Sequence, residues 1–280
     1  MVSVIVRARD EVANIGRCLE LVHRQQLGGR GVELIVVDSG SRDATAEVAL
    51  RHGAKVVELP ADSFTFGGAL NLGCANARGD LFVALSAHAF PVDELWLERL
   101  VATFADEQVA CASGDSYSPE GLPLTVPVRQ DLALAMRRPD WGYSNGAGAF
   151  RAELWRRRPF RGELPGGEDK EWAWYWLAQG YTCVVDPALT VDHDHTHDPL
   201  PAIYTRARRE WEGFASFLEG ERAYGPRKLA SEWWSDRRFY DSPVRARLSH
   251  RRAVRLLGSY AGRRRARRRA APSAAPRGAP

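Results

Sequence analysis

Two stretches near the start of the chain, VSVIVRA (Val2–Ala8) and VELIVVDSGS (Val32–Ser41), are apolar and β-branched at almost every position until each runs out in charged or polar residues. A strand that shows one face to water alternates in polarity, whereas a strand covered on both faces reads as a continuous apolar run. FVALSAHAFP (Phe82–Pro91) repeats the pattern and ends in Ser86, Ala87 and His88. Between these runs lie stretches at helical spacing. EVANIGRCLELVHRQQ sets Ile15, Leu19 and Val22 on one stripe, RDATAEVALRHG closes at Gly53, and GGALNLGCANARG is rich in small residues. Buried strands alternating with helices predict an α/β fold with a mostly parallel central sheet flanked by helices.

The second half is less regular. SNGAGAFRAELWRRRPF reads as Gly-rich and then helical, GGEDKEWAWYWLAQGY as an acidic cluster opening an aromatic helix, and TCVVDPALTVDHDHTHD as two short strands. LPAIYTRARREWEGFASFLEG is an amphipathic helix, followed by basic helical stretches. Six arginines fall within Arg263–Arg269, ahead of AAPSAAPRGAP, and so polar a segment has nothing to bury. The expected organisation is a main α/β domain over 1–222, a helical extension over 223–262 and a disordered basic tail over 263–280.

The net charge of +4 resides in that tail, so the calculated basicity says little about the folded part. The tail suits peripheral contact with an anionic membrane, and nucleic acid is not the expected partner. No run of about 18 apolar residues predicts a membrane span. The opening residues lack a secretory leader pattern, and the four cysteines show no CxxC spacing. These features predict a cytoplasmic protein with reduced thiols, peripheral at most to the inner face of the membrane.

Ligands in open α/β sheets sit outside the carboxyl ends of the strands. Four such ends carry chemistry: Arg7–Glu11, Asp38–Ser41, Ser86–His88 and Asp115–Ser116. None has a GxGxxG or GxxxxGK[ST] pattern, which argues against dinucleotide enzymes and P-loop NTPases. Asp38 suits contact with a nucleobase or ribose, or equally a cap for the next helix. Glu168, Asp169 and Glu171 suit either dipole partners of a helix start or a general base. In VDHDHTHD, extended backbone puts His193, His195 and His197 on one face, a pattern suited to metal or phosphate.

Taken in order, these segments resemble family 2 glycosyltransferases of the GT-A fold, over roughly Val2 to Gly220. VSVIVRARDEVANIGRCLE is similar to the family's opening strand and helix, and ELIVVDSGSRDAT to its nucleobase-contacting second strand. NLGCANARGDLFVALSAHAFP is similar to the segment with an Asn and an Arg ahead of the metal-binding strand. GEDKEWAWYW resembles the catalytic-base motif, and VDHDH the histidine that closes the metal and diphosphate site. The texture is that of rhamnosyltransferase-like members. One departure stands out. Where the family carries Asp-x-Asp, this chain reads Ser86-Ala87-His88. Imidazole still ligates divalent transition metals, though it suits Mg2+ poorly. Either His88 with His193 and His195 holds Mn2+ or Mg2+, which ligand type favours, or protonated histidines and Arg78, Arg206 and Arg209 neutralise a diphosphate directly.

The resemblance implies inverting transfer of a hexosyl or deoxyhexosyl unit from a nucleoside-diphosphate sugar to a hydroxyl of a glycan, lipid-linked or small-molecule acceptor. It implies Asp169 as base with Glu168 beside it. Donor contacts are expected from Arg7, Ala8, Arg9, Glu11, Asp38, Asn71, Arg78, Ser86, Ala87 and His88. Acceptor contacts are expected from Asn145 and Trp172, with Trp176 nearby, although buried tryptophans more often serve the core. Two other functions fit the residues: a zinc hydrolase built on the histidine cluster, and a catalytically inactive sugar-nucleotide binder.

Overall fold

The computed structural model of the protein describes residues 1–236, 240 and 242–270. By contact the chain divides into two units. The first comprises Met1–Leu164 and Glu168–Thr196, and the second comprises Pro165–Gly167 and the chain from His197 onward.

The first unit opens with β1 (Val2–Ala8), α1 (Ile15–His23), β2 (Val32–Asp38), α2 (Thr45–Arg51), β3 (Lys55–Glu58) and α3 (Phe66–Ala75). It continues through β4 (Leu81–Ser86), β5 (Phe90–Pro91), α4 (Trp96–Ala102), β6 (Val109–Ser113), β7 (Val128–Gln130) and α5 (Leu132–Arg137). It ends with β8 (Ala147–Arg151), α6 (Ala152–Arg157), α7 (Glu168–Ala178), β9 (Thr182–Val185) and β10 (Val191–Asp192). Eight strands form one sheet in the order β3-β2-β1-β4-β8-β6-β9-β7. The first four are parallel, β8 runs against both β4 and β6, and β7 runs against β9. This is the predicted α/β sheet with an antiparallel strand set into its middle.

The continuous apolar runs have the predicted cause. All of β1 except Arg7 is buried, and α1 covers it with Ile15, Cys18, Leu19 and Val22, one stripe of a 3.6-residue period. On the other face α3 lies close because it is small. A Cβ on Gly73 would stand 2.3 Å from Ile5. The chain winds from β1 to β2 and β3 on one side, then returns to β4 on the other. A cleft outside the strand ends at such a reversal is where open sheets bind ligands.

The segment read as Gly-rich and then helical is instead strand β8 followed by α6. Its glycines serve close approach: a Cβ on Gly148 would lie 2.5 Å from the Ser144 carbonyl and 2.9 Å from that of Ala112 on β6. A second, two-residue ribbon pairs β5 with β10 antiparallel, Val191 opposite Pro91 and Asp192 opposite Phe90. The four cysteines are buried free thiols.

The second unit holds α8 (Leu200–Phe217), α9 (Glu219–Arg222), α10 (Pro226–Ser235), α11 (Pro243–Leu248) and α12 (His250–Ala270). Its core is α8 against α12, drawn together by glycine. Cβ atoms on Gly258 and Gly262 would stand 2.6 Å and 2.3 Å from the carbonyls of Tyr204 and Arg208. Two expectations change here. The boundary placed at 222 falls inside this unit. Residues 263–270, expected to be disordered, continue helix α12. Arg263 is 3 % exposed, stacks on Trp211 at 3.3 Å and Tyr224 at 3.9 Å, and pairs with Glu221 at 2.7 Å, while Ala266 is buried. An arginine between two rings and a carboxylate is a packed residue, which composition alone does not reveal. The rest of the expected tail, 271–280, lies outside the described residues. Arg206 and Arg209 sit on α8, with Arg206 paired to Asp198.

Candidate active site

The carboxyl ends of β1 and β4 are adjacent, in register from Val2 opposite Leu81 to Arg7 opposite Ser86. Beyond Ser86 the chain makes a tight turn, with the Ala89 amide donating to the Ser86 carbonyl at 3.0 Å and the Ala87 amide to Arg7 O at 3.3 Å. The buried Cys18 thiol points at the same turn, 3.8 Å from Ser86 O and 3.6 Å from Ala89 O. Burial, and then the Glu11 charge, push that thiol up to about 12, so it stays a donor. Ala87 is buried inward and His88 is turned out, its side chain 38 % exposed.

His88 meets two other imidazoles. Its ring centre lies 4.9 Å from that of His193 and 5.8 Å from that of His195, and those two lie 4.4 Å apart. One ring nitrogen from each of the three fits within 4.8 Å of the others. The β5–β10 ribbon causes this. β5 begins two residues after His88 and β10 ends one residue before His193, so pairing Phe90 with Asp192 brings the two segments face to face. Alternation then puts His193 and His195 on the same side, as the pattern predicted. His197 belongs to the second unit and is not in the cluster.

Glu11 is placed differently from the expectation. Its carboxylate takes His88 Nδ1 at 2.7 Å and Asn14 Nδ2 at 2.8 Å. It is a partner of the histidine rather than a free donor contact. Burial raises its pKa, but hydrogen bonds from His88 and Asn14 and the His88 charge outweigh that, and the carboxyl lies below the usual glutamate range. A carboxylate on one ring nitrogen orients the ring and directs Nε2 elsewhere, which is how metal-ligating histidines are held. Three convergent imidazoles with such a brace fit a divalent transition metal. As a purely cationic diphosphate clamp the cluster is less apt, because three charged rings this close would repel one another.

The loop ahead of Glu11 is also pinned. Asp10 adopts a left-handed φ of 54°, and its carboxylate accepts the Arg42 amide at 2.7 Å while its own amide donates to Ser41 Oγ at 2.9 Å. Arg9 is exposed at the tip. Asp38, buried at the end of β2, accepts the Ser41 amide at 3.3 Å and the Ser41 hydroxyl through Oδ1. It closes a turn rather than capping α2, whose N-cap is Ala44. Ala8 stands opposite Asp38 in the ladder. The loop of β1 and the loop of β2 thus form one wall.

The acids lie on the other side of β4, at the start of α7. Glu168 is 5 % exposed, accepts Asn145 Nδ2 at 3.3 Å and lies 3.6 Å from Arg7 Nη1. Burial first, then the charge of Asp169, push its carboxyl above the ordinary value of 4.5, against the pull of Arg7. Asp169 is only half-buried, and accepts the Asn145 amide at 3.3 Å and the Lys170 amide at 2.7 Å. Arg7 Nη2 donates to the Asn145 carbonyl at 2.8 Å, and the Tyr143 hydroxyl to Asn145 Oδ1 at 2.8 Å. Asn145 is therefore a hub that positions both acids, buried at 2 %, and not the expected acceptor contact. The next residue joins the two groups. Gly146 O accepts the Ser86 amide at 2.8 Å, and a Cβ on Gly146 would lie 3.5 Å from His193 Cε1. The acids and the imidazoles are therefore linked through the Ser144–Gly146 turn.

Three expected contacts lie elsewhere. Asn71 spends its amide on structure: Nδ2 donates to Phe160 O at 2.8 Å, and Oδ1 accepts the Phe160 amide at 3.0 Å and Trp155 Nε1 at 2.9 Å. Arg78 precedes β4, at the opposite end of the sheet, 80 % exposed and paired with Glu33 at 3.3 Å. Trp172 is fully buried among Phe150, Phe160 and Trp176, with its indole donating to Arg158 O at 2.7 Å. Trp176 is likewise core. The roles of Glu11, Cys18 and Arg7 as braces had no separate signal in the sequence beyond their place at the strand ends.

A family model described as glycosyl transferase family 2 matches residues 3–159. Among curated proteins, the glycosyltransferase AglE of Haloferax volcanii is 28 % identical over 207 residues, 69 % of this chain and 64 % of its own length. Among solved structures, the mannosyltransferase PcManGT of Pyrobaculum calidifontis, in complex with GDP-Man and Mn2+, superposes with a TM-score of 0.64 at 21 % identity, covering 93 % of this chain and 73 % of that one. Glucosyl-3-phosphoglycerate synthase of Mycobacterium tuberculosis, with Mn2+, UDP and glucosyl-3-phosphoglycerate, gives 0.58 at 23 % identity over 77 % and 79 % of the chains. The structural likenesses show that the fold is GT-A.

Proposed function

The chain belongs to glycosyl transferase family 2, and from that premise we propose that it transfers a sugar from a nucleoside-diphosphate donor to an acceptor hydroxyl with inversion. The observation that carries this reading is the convergence of Asp169 with the imidazole cluster through the Ser144–Gly146 turn. In the proposed step Asp169 takes the acceptor proton. The acceptor oxygen bonds to the anomeric carbon, and the bond to the diphosphate breaks, with its electron pair leaving on the diphosphate. Exposure distinguishes the two acids. Asp169 is reachable, while Glu168 is buried against Arg7 and Asn145 and serves to hold its neighbour.

The loop of Arg9 and Asp10 and the Asp38 turn form the nucleoside side, with Ser86 and Ala87 at the diphosphate. His88, His193 and His195 would hold a divalent cation, Mn2+ rather than Mg2+ by ligand type, whose charge offsets that of the leaving diphosphate. The transferred unit is proposed to be a hexose or deoxyhexose, with rhamnosyltransferase-like proteins as the working subgroup, and the acceptor a glycan, lipid-linked or small molecule. The work is assigned to the cytoplasm. The test is a screen of UDP-, dTDP- and GDP-sugars, with and without Mn2+, by thermal shift and by nucleoside-diphosphate release. A donor that binds the folded state must raise its melting temperature. Failure of every donor to stabilise the protein would overturn the proposal, and binding with no turnover on any acceptor would leave a binding protein in its place.

Three imidazoles are also the ligand set of zinc hydrolases. Stoichiometric zinc in the purified protein, with hydrolysis and no transfer, would carry that reading instead.

A further inference from the structure

We propose that the outward face of α12, in the second unit, is a docking surface for a bilayer rich in anionic lipid. The helix has one face committed to packing. Arg252, Leu256, Ser259, Arg263 and Ala266 are buried at the three- and four-residue spacing of a single stripe. On the opposite side the same period aligns Val254, Leu257, Ala261, Arg264 and Arg268. Leu257 is 53 % exposed and Arg264 and Arg268 are exposed. The stripe is apolar in its first half and cationic in its second.

The charge there is unbalanced. Arg208, Arg264, Arg265 and Arg268, with Ala261, line a groove of 390 Å³. A single carboxylate, Glu212, answers Arg208 at 3.2 Å, Arg265 at 3.3 Å and Arg269 at 2.9 Å. Among the described residues no acid is paired with Arg264, Arg267 or Arg268. A surface of this kind attracts phosphate-bearing partners. The choice of a bilayer rests on Leu257 and its neighbours. Exposed aliphatic area beside arginine is what an interfacial helix buries at the headgroup boundary, with guanidinium groups reaching the phosphates. A nucleic acid would leave that aliphatic half in water. No described helix is long and apolar enough to cross a membrane, so the association is lateral. The inference stands apart from the transfer reaction.

The test is co-sedimentation of the full chain with phosphatidylcholine vesicles, with and without one-third phosphatidylglycerol. The chain is expected to pellet with the anionic vesicles only, and less so as salt shortens the Debye length. Arg264→Gln with Arg267→Gln and Arg268→Gln is expected to lower partitioning about a hundredfold, at about fivefold per arginine. Leu257→Ser is expected to lower it about tenfold, and both variants should keep the wild-type melting curve and donor-induced thermal shift. Equal pelleting with neutral vesicles, or indifference to the triple substitution, would overturn the proposal. So would single-stranded RNA that binds more tightly than the vesicles and does not respond to Leu257→Ser.

Discussion

The two ends of the parallel strands solve their charges in opposite ways. At the amino end of β1 and β4 the ion pairs are local and have at least one exposed partner: the Met1 amine with Asp80 at 2.7 Å, and exposed Arg78 with Glu33, whose carboxylate also accepts the Ser3 hydroxyl and the Arg78 amide. At the carboxyl end the charges are drawn into partly buried networks, Glu11 on His88 and Arg7 reaching both Glu168 and Asn145. Exposed pairs add little to stability, whereas buried charge persists only where neighbours hold it. The contrast teaches where to look for chemistry. The loops after the strands are held by charged and polar side chains, and their geometry is set for something other than the core.

The largest effect should come from the carboxyl end. Asp169→Asn is expected to reduce transfer by roughly 10²–10⁴, the range for loss of a general base, with the donor-induced thermal shift retained. Single-turnover kinetics beside that shift would separate the two. Wild-type turnover in the variant would remove the base from this end. Next, Glu11→Gln should weaken Mn2+ binding by about 10- to 100-fold, the usual cost of losing an outer partner of a ligating histidine. Calorimetry with Mn2+ alone reads this, and unchanged affinity would reduce the pair to a surface contact like those at the other end.

Glu168 sharpens the comparison through pH. Its carboxyl is raised in the folded state by burial and by Asp169, so the folded chain binds a proton that the unfolded chain has already released. Stability should therefore fall as pH climbs from the ordinary value of 4.5 to the raised one. The urea midpoint of wild type, followed against that of Glu168→Gln over this window, should show the loss in wild type alone. A parallel pair of curves would put the cost elsewhere. The smallest effect belongs to the amino end. Arg78→Ala should change stability by no more than about 0.5 kcal/mol and leave donor binding as it was. A fall in donor affinity would break the comparison outright.

Much of the sheet was legible because a strand covered on both faces is apolar at almost every position, and β1, β2 and β4 are. The alternation of His193 with His195 was legible for the same local reason, as was the substitution of Ser86-Ala87-His88 for an acidic pair. What could not be read depends on direction. Asn71 and Arg78 have suitable chemistry for a donor site, but the turn of α3 aims the amide at Phe160, and Arg78 falls before its strand rather than after it. Asn145 and Trp172 sit beside the acids in space yet face inward. Strand β8 was hidden because its glycines read as punctuation, when Gly148 lets β8 press against its neighbours. The helical course of residues 263–270 was hidden by composition, since a run of arginines does not announce that Trp211 and Tyr224 will receive one of them.

The β5–β10 ribbon has a temporal consequence. Its two halves are about a hundred residues apart, so His88 is synthesised long before its companions exist. Closing so long a loop is favourable only after the intervening sheet has assembled. The imidazole triad is thus a signature of completed folding, and a nascent chain that stops short of Val191 has no means of assembling it.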